Sequence, residues 1–128
     1  MTAWTDYRAR ASERGALALE LFIVRSVPQS APEEIAKALP EHLAYQRELE
    51  SRGILVMAGP VSNAAGDALS GEGLMIYRAA NLAEAARFAA DDPMHRLGLK
   101  QAELRAWLVN EGQLTVSLTL SRRQGLLA

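Results

Sequence analysis

Two histidines, one aspartate held before a proline, and an arginine two residues from a tryptophan are the side chains here whose types and spacing suit chemistry. His42 follows Pro40 by two residues. If the main helix starts near Pro40, His42 stands in its first turn, where four backbone N–H groups are unpaired and the helix dipole is positive. That environment disfavours imidazolium, and a neutral imidazole accepts a proton as a general base does. The plain alternative is a polar surface residue at a helix start. Asp92 precedes Pro93 at the expected exit of a second helix. A carboxylate there can accept from the second ring nitrogen of a histidine and stabilise the cation that forms, or it can simply start a turn. Asp91 is its less constrained, solvated neighbour. His95 lies three residues after Asp92 and is either a second acid–base group, a substrate-binding donor, or the cap of its segment.

A further set sits on one expected strand face, where Glu103, Arg105 and Trp107 alternate with Ala102, Leu104, Ala106 and Leu108. Arg105 can pair with Glu103 or hold a carboxylate or phenolate ligand through two parallel bonds. Trp107 can wall a pocket or pack as core. His42, His95 and Asp92 contain the donors of a two-histidine-one-carboxylate metal set, but the spacing across the histidines matches no known ligand pattern, so the expected site is metal-free and without a cofactor. Gly71-x-Gly73 falls in a hairpin with no helix after it and fails the context of a nucleotide-binding loop.

Composition narrows the classes. The 128 residues are 49% hydrophobic and 23% charged, the balance of one folded domain. With no cysteine, disulfides, thiolate metal sites and thiol nucleophiles are excluded. A net charge of -1 gives no overall attraction to nucleic acid or to an anionic membrane. The apolar stretches are shorter than the roughly 20 residues that span a bilayer. The first residues carry Asp6, Arg8, Arg10, Glu13 and Arg14 rather than the apolar run of a signal peptide. A cytoplasmic protein is expected, with a small-molecule ligand and no nucleic-acid or membrane partner.

The elements that must position these residues can be read from periodicity. Trp4, Tyr7 and Ala11 suit one face of a helical extension ending at Gly15. Residues 16–27 read as a strand closed by Pro28, with both faces apolar. Ser30 and Glu33 suggest a capping box. Pro40 is expected to divide the helical stretch after it into a short helix at 32–38 and a main helix to Arg52, buried along Leu39, Leu43, Gln46 and Leu49 or Glu50. Strands come next at 54–62 and 73–78, joined by a long loop from Asn63 to Glu72. Asn81 and Glu84 repeat the capping signal before a helix to about Ala90; Pro93 expels Asp92 from it, and residues 94–98 add a turn. A fourth strand spans 100–109, and Leu114 to Leu120 alternate as a half-exposed fifth.

Strand, helix, strand, strand, helix, strand is the split βαβ order of an α+β, ferredoxin-like fold, here with an N-terminal helical extension and an extra C-terminal strand. The expected division is an extension at 1–15, a domain at 16–120, and a tail at 121–128 that is mobile or in a subunit contact. Helices cover one face of such a sheet. The other face, carrying Phe22, Met57 or Val56, and Trp107, needs cover, and a two-fold homodimer with sheets facing is the simplest.

The chain resembles the YCII-related domain family between about Leu19 and Gly112. The resemblance is carried by Pro40-x-His42-Leu43-x-Tyr45, by the run from Gly53 to Pro60, and by Gly66 and Gly73-Leu74-Met75-Ile76. Glu84-Ala85, Asp92-Pro93 followed by Gly98, and Arg105-Ala106-Trp107 complete it. It implies a ferredoxin-like fold dimerised into an α+β barrel, and a His–Asp pair in a cleft that maps onto His42 and Asp92. One branch is similar to a dehydrochlorinase acting on a chlorinated hydroxyquinol, so elimination is the implied chemistry. His95, the N-terminal extension and the strand after Gly112 depart from the family pattern. The resulting expectation is a small-molecule lyase or isomerase with His42 as base, Asp92 as its orienting partner, and His95, Arg105 and Trp107 binding substrate. The alternatives are a dimeric module that binds a ligand or a partner without catalysis, and a structural dimer with no ligand.

Overall fold

The computed structural model describes residues 1–121 and the backbone of 124–127. Two compact units are present, one from Glu20 to Leu108 and the other formed by Met1–Leu19 with the segment from Val109 onward.

The larger unit is a four-stranded sheet in the order β2-β3-β1-β4, with β1 Leu19–Pro28, β2 Leu55–Ser62, β3 Leu69–Tyr77 and β4 Lys100–Val109. β3 runs antiparallel to both β1 and β2. Three helices connect the strands. Numbered in chain order after α1 Trp4–Glu13 of the smaller unit, they are α2 Pro32–Ser51, α3 Leu82–Asp91 and the single turn α4 Pro93–Arg96. This is the expected α+β, ferredoxin-like arrangement. Among the described residues, no helix is long and apolar enough to cross a membrane.

Strand alternation builds the core. Phe22 and Val24 pair with Tyr77 and Met75, so these four side chains share one face of the sheet. Val24, Leu49, Met75, Tyr77 and Ala89 form its buried centre, with Tyr45, Phe88, Ala102 and Leu104 packed around them. Phe22 is therefore core, where periodicity alone had suggested the uncovered face. The face that no helix of this unit covers carries Ile23, Arg25, Met57, Leu74 and the buried Ile76, and Arg25 reaches Glu72 and Glu103 across it.

Pro40 does not divide α2, which runs unbroken for 20 residues. A proline inside a helix deprives the carbonyl four residues earlier of its donor. Here that residue, Ala36, and Pro40 are both exposed, a setting in which water can replace the lost donor. The buried stripe is also one residue off the expected register: Ala38 and Leu49 are buried and His42 and Tyr45 are partly so, while Leu39 and Leu43 are exposed. Ser30 forms no cap; the N-cap is Ala31, followed by Pro32 at the first helical position. The second capping signal does form. Asn81 accepts from the Glu84 N–H at 2.9 Å, and Glu84 accepts from the Ala80 N–H at 3.1 Å.

β3 begins at Leu69 rather than at Gly73 because the hairpin ties itself together. Ala68 O accepts from the Asn63 N–H at 2.8 Å, and the Ser70 hydroxyl donates to Val61 O at 2.7 Å. Gly71, at φ +86°, lies against Pro28, whose Cγ would be 2.8 Å from any added Cβ. In the smaller unit, Arg14 pairs with Glu111 at 3.2 Å, and β5 Val116–Thr119 forms a two-stranded antiparallel ribbon with β6 Gln124–Leu127. The fifth strand thus has its partner within the chain. The mobile or subunit-contacting tail expected at 121–128 lies partly outside the described residues.

Asn81→Ala should cost about 1 kcal/mol of stability, whereas Ser30→Ala should stay within about 0.5 kcal/mol; urea unfolding of the two variants compares them. The Tyr45 hydroxyl donates to Phe88 O at 2.7 Å and holds α2 to α3. Burial first, then the charges of Asp91 and Asp92, pushes its pKa up to about 12, above the unfolded value of about 10. A pKa raised on folding gives stability that is intact below the unfolded value and lost as pH rises through the folded one. Unfolding measured from pH 9 to 12 should therefore show stability falling with rising pH, and Tyr45→Phe should reduce that slope.

Candidate active site

The stripe that α2 buries decides where His42 points. Because the helix begins at Pro32, His42 stands mid-helix, so the helix-terminus argument for its neutral form does not apply. It sits instead on the same face as Ala38, Tyr45 and Leu49. There its Nδ1 lies 2.8 Å from Oδ1 of Asp92, the ring 15% exposed and the carboxylate 0%.

Asp92 is held by the chain's own punctuation. It is both the last cap of α3 and the first cap of α4, with φ −63° and ψ 126°. That extended conformation is the one a following proline favours. Its Oδ1 also accepts from the Met94 N–H at 2.9 Å, an N-cap bond. Oδ2 is buried with no hydrogen-bond partner. The aspartate therefore starts a turn and faces a histidine at once. With the carboxylate ionised it only accepts, so His42 donates through Nδ1–H, and in the neutral ring Nε2 keeps its lone pair. The field of the buried carboxylate reaches other groups: it contributes, after burial, to the raised pKa of Tyr77, and it partly opposes the lowering of Lys100 that burial causes.

His42 forms part of the wall of a cavity of about 770 Å³ between α2 and the sheet. Ser26, Ser30, Leu43, Met75, Met94 and Lys100 also line it. This is within the size range of small-molecule sites, which are mainly apolar with a few polar groups. Besides the hairpin of β2 and β3, four parts of the fold meet there: β1 brings Ser26, α2 brings His42, the α4 turn brings Met94, and the start of β4 brings Lys100.

His95 takes a different place. Its Nδ1 is 2.7 Å from Ala89 O and its Nε2 is 2.7 Å from Ser26 Oγ. A carbonyl only accepts, so Nδ1 carries the proton, and in the neutral ring Nε2 accepts from the Ser26 hydroxyl. Both ring nitrogens are thus occupied, and His95 is not among the cavity's lining residues. Arg105 and Trp107 are also absent from the lining. They follow the parity of Glu103, which meets Arg25 on the uncovered face of the sheet, opposite Ala102 and Leu104 in the core. The structure brings His42 and Asp92 together and leaves Arg105 and Trp107 on the far side. Among the described residues, no group of three His, Asp or Glu side chains is placed to hold a metal ion.

Ser26 and Lys100 were missed from the sequence. Ser26 did carry a signal: it has the parity of Phe22 and Val24, so a polar side chain falls on the buried face of β1 and is 2% exposed. Lys100, at a strand start after Gly98, carried none.

Comparison with known proteins agrees with this architecture. Among solved structures, the chain is similar to the 5-chloro-2-hydroxyhydroquinone dehydrochlorinase TftG from Burkholderia phenoliruptrix, determined in complex with 2,5-dihydroxybenzoquinone. The TM-score is 0.56 and the identity 19%, over 68% of this chain and 92% of that one. A weaker likeness, TM-score 0.43 and 13% identity, is to an antibiotic biosynthesis monooxygenase, over 74% of this chain and 100% of that one. No curated protein sequence matches. The family model of the YCII-related domain matches residues 18–108, which take in the helices and four-stranded sheet of the larger unit and both members of the His42–Asp92 pair, and the chain belongs to the YCII-related domain family.

Proposed function

We propose that the protein is a small-molecule enzyme of lyase or isomerase type in which His42 is the general base and Asp92 its positioning partner. The observation that carries this is the 2.8 Å contact from His42 Nδ1 to a fully buried carboxylate, with His42 in the wall of a cavity. Nε2 takes a proton from a substrate carbon or hydroxyl. The imidazolium that forms then donates through Nδ1 to Asp92, whose charge stabilises it. In elimination from a chlorinated hydroxyquinol, the electron pairs of two broken O–H bonds form the two C=O bonds of a quinone, the ring carbon bearing chlorine gains a proton, and chloride departs with the pair of its broken bond. His42 afterwards returns the proton to solvent or to the leaving group.

Similarity to a dehydrochlorinase makes elimination of chloride the first reaction to test. Chloride release from 5-chloro-2-hydroxyhydroquinone and related chlorinated hydroxyquinols, measured on the purified protein, tests it. Once a turned-over substrate is found, His42→Ala and Asp92→Asn should each lower turnover by roughly 10²–10⁴-fold. Full turnover by both variants would contradict the assignment and leave a ligand-binding module.

We also propose that the uncovered sheet face is a homodimer contact. Met57 is 50% exposed and Trp107 42%, on a face that no helix of the larger unit covers. Sedimentation equilibrium should give a dimer, and Trp107→Glu should shift it toward monomer; an unchanged monomeric mass for the parent chain would overturn this.

A further inference from the structure

We propose that Lys100 and Ser26 set the substrate class of the cavity: a small molecule with an apolar body, an anionic oxygen held by Lys100, and a hydrogen-bond-donating group received by Ser26. This rests on reading the cavity beside His42 and Asp92 as the binding site.

The charges of the cavity wall lead to Lys100. Besides His42, only Glu72 and Lys100 among the lining residues are titratable. Glu72 is committed to Arg25 at 2.7 and 3.1 Å. Lys100 forms no ion pair or hydrogen bond among the described residues, and it is only partly exposed. The surrounding wall is largely apolar, through Pro28, Ile35, Leu39, Leu43 and Met94. The Lys100 ammonium feels the charge of Asp92 but has no anion in contact, and partial burial of such a group is costly. Burial lowers its pKa, against the pull of Asp92. A ligand anion would supply a partner in contact, and a charge-assisted bond is among the stronger contacts available.

The polarity of Ser26 follows from the chain of bonds behind it. Ala89 O accepts from His95 Nδ1–H, and in the neutral ring His95 Nε2 accepts the Ser26 proton. The Ser26 hydroxyl has then spent its only proton on the protein, so Oγ offers the cavity a lone pair. His42, donating through Nδ1 to Asp92, also offers a lone pair at Nε2. Two acceptors and one cation thus face the ligand, along with the Ser30 hydroxyl and the Gln46 amide. Ser70, a third hydroxyl in the lining, is occupied within the hairpin by Val61 O and the Glu72 N–H. This arrangement gives His95 a task outside the proton transfer, which is to fix the direction of the Ser26 hydroxyl.

Calorimetric titration of the full chain with 3-hydroxybenzoate, benzoate and 3-hydroxybenzyl alcohol separates the two recognitions. The wild-type protein should bind 3-hydroxybenzoate about tenfold more tightly than either of the others, as expected for one bond to a charged group or one matched hydroxyl in a buried site. Lys100→Met should abolish the preference for the carboxylate over the alcohol, and Lys100→Arg should retain it. Ser26→Ala should abolish the preference for the hydroxylated acid over benzoate, with thermal unfolding checking that each variant is folded. Both preferences are read from binding alone, without turnover, so the result stands apart from the acid–base assignment. Retention of the anion preference by folded Lys100→Met, retention of the hydroxyl preference by folded Ser26→Ala, or failure of the wild-type protein to bind any probe at millimolar concentration would overturn the proposal.

Discussion

The hydrogen bond between His42 and Asp92 is the constraint on which the rest of the structure turns. A carboxylate with no exposure is tolerated only when its charge is met by donors. Asp92 receives two, from the His42 ring and the Met94 N–H, both on Oδ1. Breaking either would leave a buried charge short of partners. The helix carrying His42 and the Asp-Pro junction between α3 and α4 are therefore bound to one another by more than apolar packing. The same bond fixes which ring nitrogen keeps a lone pair. Stability and chemistry thus share one contact.

Around that contact the fold divides its tasks between the two faces of the sheet. The helix-covered face takes Val24, Met75 and Tyr77 into the core and, where the apolar cover ends, presents Ser26 to the cavity. The other face carries a charged cluster of Arg25, Glu72 and Glu103 beside the exposed Met57 and Trp107. These solvent-facing ion pairs add little stability on their own. They keep that face from being continuously apolar.

Much of the fold was legible in the sequence because period-2 and helical patterns alternate cleanly and glycine or proline marks most ends. The misread features came from local signals overridden by context. Pro40 costs α2 a backbone bond, but the carbonyl left without a donor belongs to exposed Ala36, and the helix runs on. The helix register was assigned to Leu39 and Leu43 because leucine outranks alanine and histidine as a core residue. The tertiary partner of that face, however, is Asp92, which selects His42. His42 and Asp92 could be named together because His42 follows Pro40 by two residues and Asp92 directly precedes Pro93, each in a motif that resembles the YCII-related family. The alternation of β4 sets Arg105 and Trp107 on the face opposite Ala102 and Leu104, as the structure has them, but nothing in the sequence shows that the cavity opens on the other face. Lys100 became visible only when four separate elements were seen to meet.

The chemistry rests on one tautomer, in which Asp92 holds the His42 proton on Nδ1 and leaves Nε2 free to act. Long-range ¹H–¹⁵N correlation of the histidine rings reads this directly, with His42→Gln used for assignment. The neutral His42 ring should be the Nδ1–H tautomer in the wild-type protein and should lose that preference in Asp92→Asn. A neutral ring protonated on Nε2, unchanged by Asp92→Asn, would contradict it.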